Sequence, residues 1–278
     1  MSFIQTVIDN QFMQNALIGA ALIGFANGFF SGFVNLRRNA LSVSALSHTM
    51  LPGIAIAILI TQTLNHTNAF VGALIACLAV GLGSTVVSRN SRIHQDTALS
   101  IIYTTAFAGG IALLPHLPVA TNLHDWLFGN IIHISEQDLN LVFTVSAITL
   151  VLSNLFMRPM LLTLFEPNVA AAQGVPVRSM QYLGFTLLIL MLVASLQAVG
   201  TILSVGLLVT PGAIMLLYTD RTAAIFWGGA IIGSLSSIAG IFLAQLIDIQ
   251  AGPAIIILLG ILFLLSFLFS PRHGVIKK

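Results

Sequence analysis

The sequence predicts an all-α polytopic membrane protein of about nine transmembrane helices, within a range of about eight to ten, with the N-terminus outside and the C-terminus in the cytoplasm. Three observations lead there. The 278 residues include only ten Lys or Arg and eight Asp or Glu, 6% of the chain, where a soluble globular domain has about 25%. Hydrophobic residues make up 57% and fall into runs long enough to cross a bilayer, which takes about 20 residues per helix. All the basic residues fall on one side of the resulting topology.

Apolar windows closed by charges and prolines delimit spans at 16–36, 42–61, 69–88, 97–114, 139–157, 181–198, 201–218, 223–246 and 254–270. Runs such as Ala254–Phe269 do not alternate, which excludes a membrane β-barrel built from alternating segments of about ten residues. So many spans leave no stretch for a soluble ATPase or nucleic-acid-binding module, and the chain reads as one domain over 1–278. A net charge of +2 offers no patch for a polyanion, so nucleic acid is not an expected partner. The single cysteine, Cys77, lies in an apolar run and is expected to pack. Met1–Asn15 lacks the basic head of a cleaved signal, so the first span is expected to stay.

The first span carries Asn27, Ser31 and Asn35 among glycines, a composition suited to close helix–helix contact. Ser204, Ser234, Ser236, Ser237 and Gln245 read the same way in later spans. Arg37, Arg38, Arg89, Arg92, Arg158, Arg178, Arg221, Arg272, Lys277 and Lys278 all fall in even-numbered connections, and segments 62–68, 115–138 and 247–253 hold none. The positive-inside rule then orients the chain, provided that 180–219 is two spans. The outer connections instead hold His66, His116, His124 and His133 with Asp125, Glu136 and Asp138. Imidazole and carboxylate are ligands for zinc, iron and manganese. His124, Asp125 and His133 are therefore candidates for capture of a metal cation at the outer face, the alternative being ordinary polar loop residues.

The second span holds the one deep ionisable side chain, His48. Burial of such a group in hydrocarbon costs several kcal/mol, so it reads either as a pathway residue or as a packing histidine bonded to a carbonyl. Ser44 and Pro52 lie four residues to either side on the same helical face, and Ser47 is adjacent. Pro52-Gly53 is expected to interrupt this helix, and Thr210-Pro211-Gly212 to interrupt the seventh span, giving two discontinuous helices of the kind that line transporter sites. Gln197, just before Gly200, is a further pore candidate or a residue snorkelling to the interface. The loop 159–178 is the longest cytoplasmic connection. Asn168 can cap a short helix there, Ala170, Ala171 and Ala172 favour it, and Gly174 suits a left-handed C-terminal position.

An intramembrane hydrolase needs two or three ligands and a base within the bilayer, and a secondary transporter typically uses embedded carboxylates. The spans offer one histidine and no deep acid.

With these residues together, the chain resembles the membrane permease subunit of ATP-binding-cassette importers for zinc, manganese and iron. The resemblance runs through Arg37–Leu41, Ala45–Gly53, Asp96–Ala98, Leu127–Ile131, Ala170–Val175, Leu196–Gly200, Thr210–Ala213 and Asp248 with Gly252-Pro253, almost the whole chain. It implies a multi-pass protein of the bacterial plasma (inner) membrane, with no enzymatic activity and no permanently bound cofactor. A divalent metal ion is the cargo, and ATP is bound only by a partner. The implied partners are a second permease copy or a related permease, two cytoplasmic ATPase subunits and an extracytoplasmic metal-binding protein. The implied pathway includes Ser44, Ser47, His48, Pro52, Gln197, Thr210 and Pro211, and the implied ATPase-coupling segment Glu166, Ala170, Ala171, Ala172 and Gly174. The family usually places an aspartate four residues before the histidine, where this chain has Ser44. That departure favours the alternative cargo, a metal chelate or other small solute.

Overall fold

The computed structural model describes residues 11–63, 65–117 and 134–270. They form the helices α1 (Gln11–Leu36), α2 (Ala40–Thr61), α3 (His66–Asn90), α4 (Gln95–Leu113, continued by a 3₁₀ turn Leu114–His116) and α5 (Glu136–Leu155). After the short α6 (Met157–Phe165) and α7 (Pro167–Ala172) come α8 (Val177–Val199), α9 (Thr201–Tyr218), α10 (Thr222–Ile247) and α11 (Ala251–Phe269). Among the described residues, nine helices are long and apolar enough to cross a membrane, and they match the nine expected spans.

Most helices start a few residues before the apolar windows, and at α3 a capping residue accounts for it. α3 starts at His66 rather than at 69, its N-cap Asn65 accepting a hydrogen bond from the Thr67 N–H at 3.4 Å. Segment 180–219 is two helices separated by Gly200, whose φ of +81° lies in the left-handed region. The expected interruptions at the prolines do not occur: Pro52 and Pro211 both lie inside helices that run through them. Proline removes one helical hydrogen bond, but buried packing around each ring holds the segment in helical form.

The chain clusters into two compact units. The first contains α1, α9, α10 and α11, with the first half of α5 and the last turn of α8. Its centre is the crossing of α1 and α10. A Cβ on Gly24 would lie 2.4 Å from the Gly233 carbonyl oxygen, and one on Gly28 would lie 2.2 Å from that of Gly229. Each of Gly229 and Gly233 meets its partner's carbonyl as closely in return. Two glycines per helix, one turn apart, thus bring backbone against backbone, the contact that drives helix association where lipid is as apolar as the side chains. Beside them Phe29, Phe33, Phe226 and Trp227 form an aromatic cluster, with Phe33 and Phe226 4.5 Å apart between centroids in an edge-on pair.

α9 joins α1 through Asn35. Its amide donates to the Ser31 carbonyl and across to the Val209 carbonyl, both at 2.8 Å. Gly212 sits against Ser31, whose carbonyl oxygen would be 2.6 Å from a Cβ there. The polar and small residues of the first span are thus interhelical contacts, as read from the sequence. Asn35→Ala removes both bonds and is expected to lower the stability of the detergent-solubilised protein by about 1–2 kcal/mol, the upper range for interhelical hydrogen bonds in membranes, read as a fall in melting temperature.

The second unit contains α2, α3, α4, the second half of α5, α6, α7 and most of α8. Here α2 is clasped on two sides. Gly53 meets Gly72 of α3, with a Cβ on either placed 2.3–2.5 Å from the other's carbonyl oxygen. Gly110 of α4 lies against Pro52, whose Cα would be 2.7 Å from a Cβ at 110. Cys77 is buried in α3 with its thiol 3.5 Å from the Leu46 carbonyl, a packing role.

Candidate functional site

Within the second unit, α2 carries Ser44, Ser47, His48 and Pro52. Asp96 stands in the first turn of α4, where the helix dipole favours an acid, and it accepts a hydrogen bond from Ser42 Oγ at 3.3 Å, tying the starts of α2 and α4 together. Eleven residues further on α4, Phe107 presents its ring edge-on to His48, with 5.8 Å between centroids and 63° between planes. The glycine contacts at Gly72 and Gly110 fix α2 one turn beyond the histidine. Neither glycine was singled out from the sequence, though their place within apolar runs is the signal that close approach leaves.

The face expected to hold Ser44, His48 and Pro52 together is not uniformly buried: Pro52 is buried, Ser44 half-buried and His48 exposed on the surface of this chain. Ser47 is buried and donates its hydroxyl to the Ser44 carbonyl at 2.7 Å, a bond internal to α2. Among the described residues, no three His, Cys, Asp or Glu side chains come together as a metal centre. An imidazole on an exposed face can contribute one ligand and can take part in a larger set only with groups from outside that face.

Thr210, Pro211 and Gln197 belong to the first unit. Pro211 is buried, Thr210 and Gln197 half-buried, and Asn35 holds the carbonyl of Val209, two residues before the proline. His124, Asp125 and His133 lie outside the described residues.

The loop 159–178 contains two helices rather than one. α6 ends at Phe165, Glu166 stands between with φ −136° and ψ 69°, and α7 begins on Pro167. The N-cap is thus Glu166, not Asn168, because proline at the first helical position starts the helix two residues earlier. α7 closes in a Schellman motif: Gly174 N–H donates to the Ala171 carbonyl and Val175 N–H to that of Ala170, each at 3.0 Å, with Gly174 at φ +78°. Ala170 is buried beneath the turn, while Glu166, Ala171, Ala172 and Gly174 are exposed. The result is a small, nearly uncharged knob with one acid at its leading edge.

The ABC 3 transport family matches over residues 9–270. The chain is 38% identical over 278 residues to the manganese transport system membrane protein MntC of Halalkalibacterium halodurans, covering 99% of this chain and 93% of that one. It is 32% identical to a probable iron transport system membrane protein of Haemophilus influenzae, covering 96% and 93%. Among solved structures, PsaBC from Streptococcus pneumoniae in complex with Fab superposes with a TM-score of 0.86 at 33% identity, over 99% of this chain and 98% of that one.

Proposed function

Because this chain belongs to the ABC 3 transport family, a family of non-enzymatic permease subunits, we propose that it moves a divalent transition metal, manganese or iron before zinc, into the cell by alternating access. The observation that carries this reading is similarity along the entire length to permeases named for manganese and iron. The orientation read from the basic residues sets α6 and α7 in the cytoplasm and the N-terminus outside, in the plasma membrane of a bacterium.

The exposure of His48 supports a second permease copy at that face. Facing lipid, an imaginable alternative for an apolar helix, costs an ionisable group several kcal/mol. A two-fold pair instead brings the same face of each subunit together, so that two imidazoles flank one pathway. Two imidazoles with backbone oxygens and water hold an ion in transit without closing around it, which suits a cargo that must leave. Ser44 edges this path, with Ser47 supporting it from within α2; within the first unit, Thr210, Pro211 and Gln197 are the further candidate pathway residues. An external metal-binding protein delivers the ion to the outer face, where His124, Asp125 and His133 are the receiving groups.

Two ATPase subunits dock on the knob formed by Glu166, Ala170, Ala171, Ala172 and Gly174. Within this chain a Cβ at Gly174 meets nothing within 4 Å, so a side chain there strains φ, by about 1–2 kcal/mol in the left-handed region, and stands out from the docking face. Gly174→Leu is expected to weaken co-purification of the ATPase about fivefold or more, with Gly174→Asn, which tolerates that region, close to wild type. Equal co-purification of all three would remove the coupling role.

A metal chelate is the second reading, favoured by the neutral Ser44. Cells lacking the gene, depleted in turn of manganese, iron and zinc, separate the two: the metal reading expects one depletion to slow growth and the free metal ion to restore it. Rescue only by a chelate would favour the second.

A further inference from the structure

Where α3 ends and α8 begins, within the second unit, there is a cleft of about 610 Å³ that the transport reading does not use. Val86, Arg89 and Asn90 line it from α3, and Arg178, Gln181 and Tyr182 from α8. Two guanidiniums face it and no carboxylate does. Arg89 is held in place: its Nη2 donates to Gln181 Oε1, and its guanidinium lies over the Tyr182 ring, 4.9 Å from the centroid. Arg178 is exposed and forms no ion pair or hydrogen bond with its side chain among the described residues.

Both helices are candidate membrane spans, so their ends stand at the depth of the lipid headgroups. The cleft is polar at its mouth and bordered by Val86, which is 47% exposed one turn deeper on α3. A guanidinium offers five donors in a planar fork that matches phosphate, and basic pockets between spanning helices favour acidic headgroups. We propose that this cleft binds the headgroup phosphate of an anionic phospholipid, with Arg89 and Arg178 on its oxygens and Val86 against the first carbons of its acyl chain. A soluble phosphate would meet the same arginines but gain nothing from Val86, and a zwitterionic lipid brings an ammonium group towards two cations. A bound lipid of this kind joins α3 to α8 by bridging Arg89 and Arg178.

The test is native mass spectrometry of the full-length chain in detergent, doped with phosphatidylglycerol or phosphatidylcholine of matched chains. Phosphatidylglycerol is expected to be retained preferentially, and Arg89→Gln/Arg178→Gln to reduce its retention about fivefold or more. Arg178→Gln alone, at an exposed position that carries no packing, should give an intermediate loss, and Arg221→Gln, outside the cleft, none. Inorganic phosphate in large excess should not displace the lipid. Equal retention of the two lipids, or unchanged retention in both cleft variants, would overturn the proposal. So would displacement by inorganic phosphate, which points to a plain anion site. Loss of ATPase binding with lipid retention intact would make the cleft a protein-docking surface instead.

Discussion

His48→Ala is expected to reduce metal uptake about tenfold or more, the scale on which loss of a positioned group acts at a metal site, while the protein still reaches the membrane and still binds its ATPase. The imidazole is exposed on this chain and touches Phe107 edge-on, so truncation opens no core cavity and the stability change should stay small. If His48 only packs, the opposite pattern follows: transport near wild type and, at most, a slightly lower melting temperature. His48→Gln refines the result, since it keeps a polar side chain of similar reach but replaces the imidazole nitrogen with a weaker ligand. It should recover little of the lost transport.

Gly28→Val is the substitution with the largest expected effect on folding. Its Cβ would come 2.2 Å from the Gly229 carbonyl oxygen and 3.0 Å from the Ala230 Cα, so the obstruction is backbone, which cannot rotate away. Separating α1 from α10 also breaks the Gly24 and Gly233 contact one turn on and disturbs the Phe33 and Phe226 pair. Overpacking costs about 1–3 kcal/mol and occasionally more; with backbone as the obstruction the upper end applies, and the expected outcome is loss of monodisperse protein after extraction. Gly260→Ala, where a Cβ meets nothing within 4 Å, should be tolerated or stabilising by up to about 1 kcal/mol. Equal yields of the two variants would show that the glycine crossing does not hold the first unit together.

The spans were legible because hydrocarbon imposes a single simple requirement, a long apolar helix, and the chain meets it nine times among its described residues. The break at Gly200 was legible from one glycine between two runs, and the left-handed end of α7 from Gly174. Asn35 and Ser31 are polar residues among glycines in an apolar span, the mark of an interhelical contact, and both make one. The prolines misled: a missing donor predicts a broken helix, but whether the helix breaks depends on what packs around the ring, and Gly110 against Pro52 is separated from it by 58 residues of chain. α6 is hidden in the sequence because its apolar residues, Met160, Leu161, Leu162 and Leu164, follow Arg158 and Pro159 directly after the fifth span and look like a frayed span end. The exposure of His48 was also invisible, since a helical face can be found by counting fours while what covers it cannot.

The most direct measurement of the central claim is ATP-dependent accumulation of radioactive manganese in proteoliposomes that contain this permease with its ATPase and external binding protein. The account predicts accumulation above vesicles lacking the permease, competition by iron, and its loss in His48→Ala at unchanged complex assembly. Accumulation of none of manganese, iron or zinc above that background, with the complex intact, would contradict it.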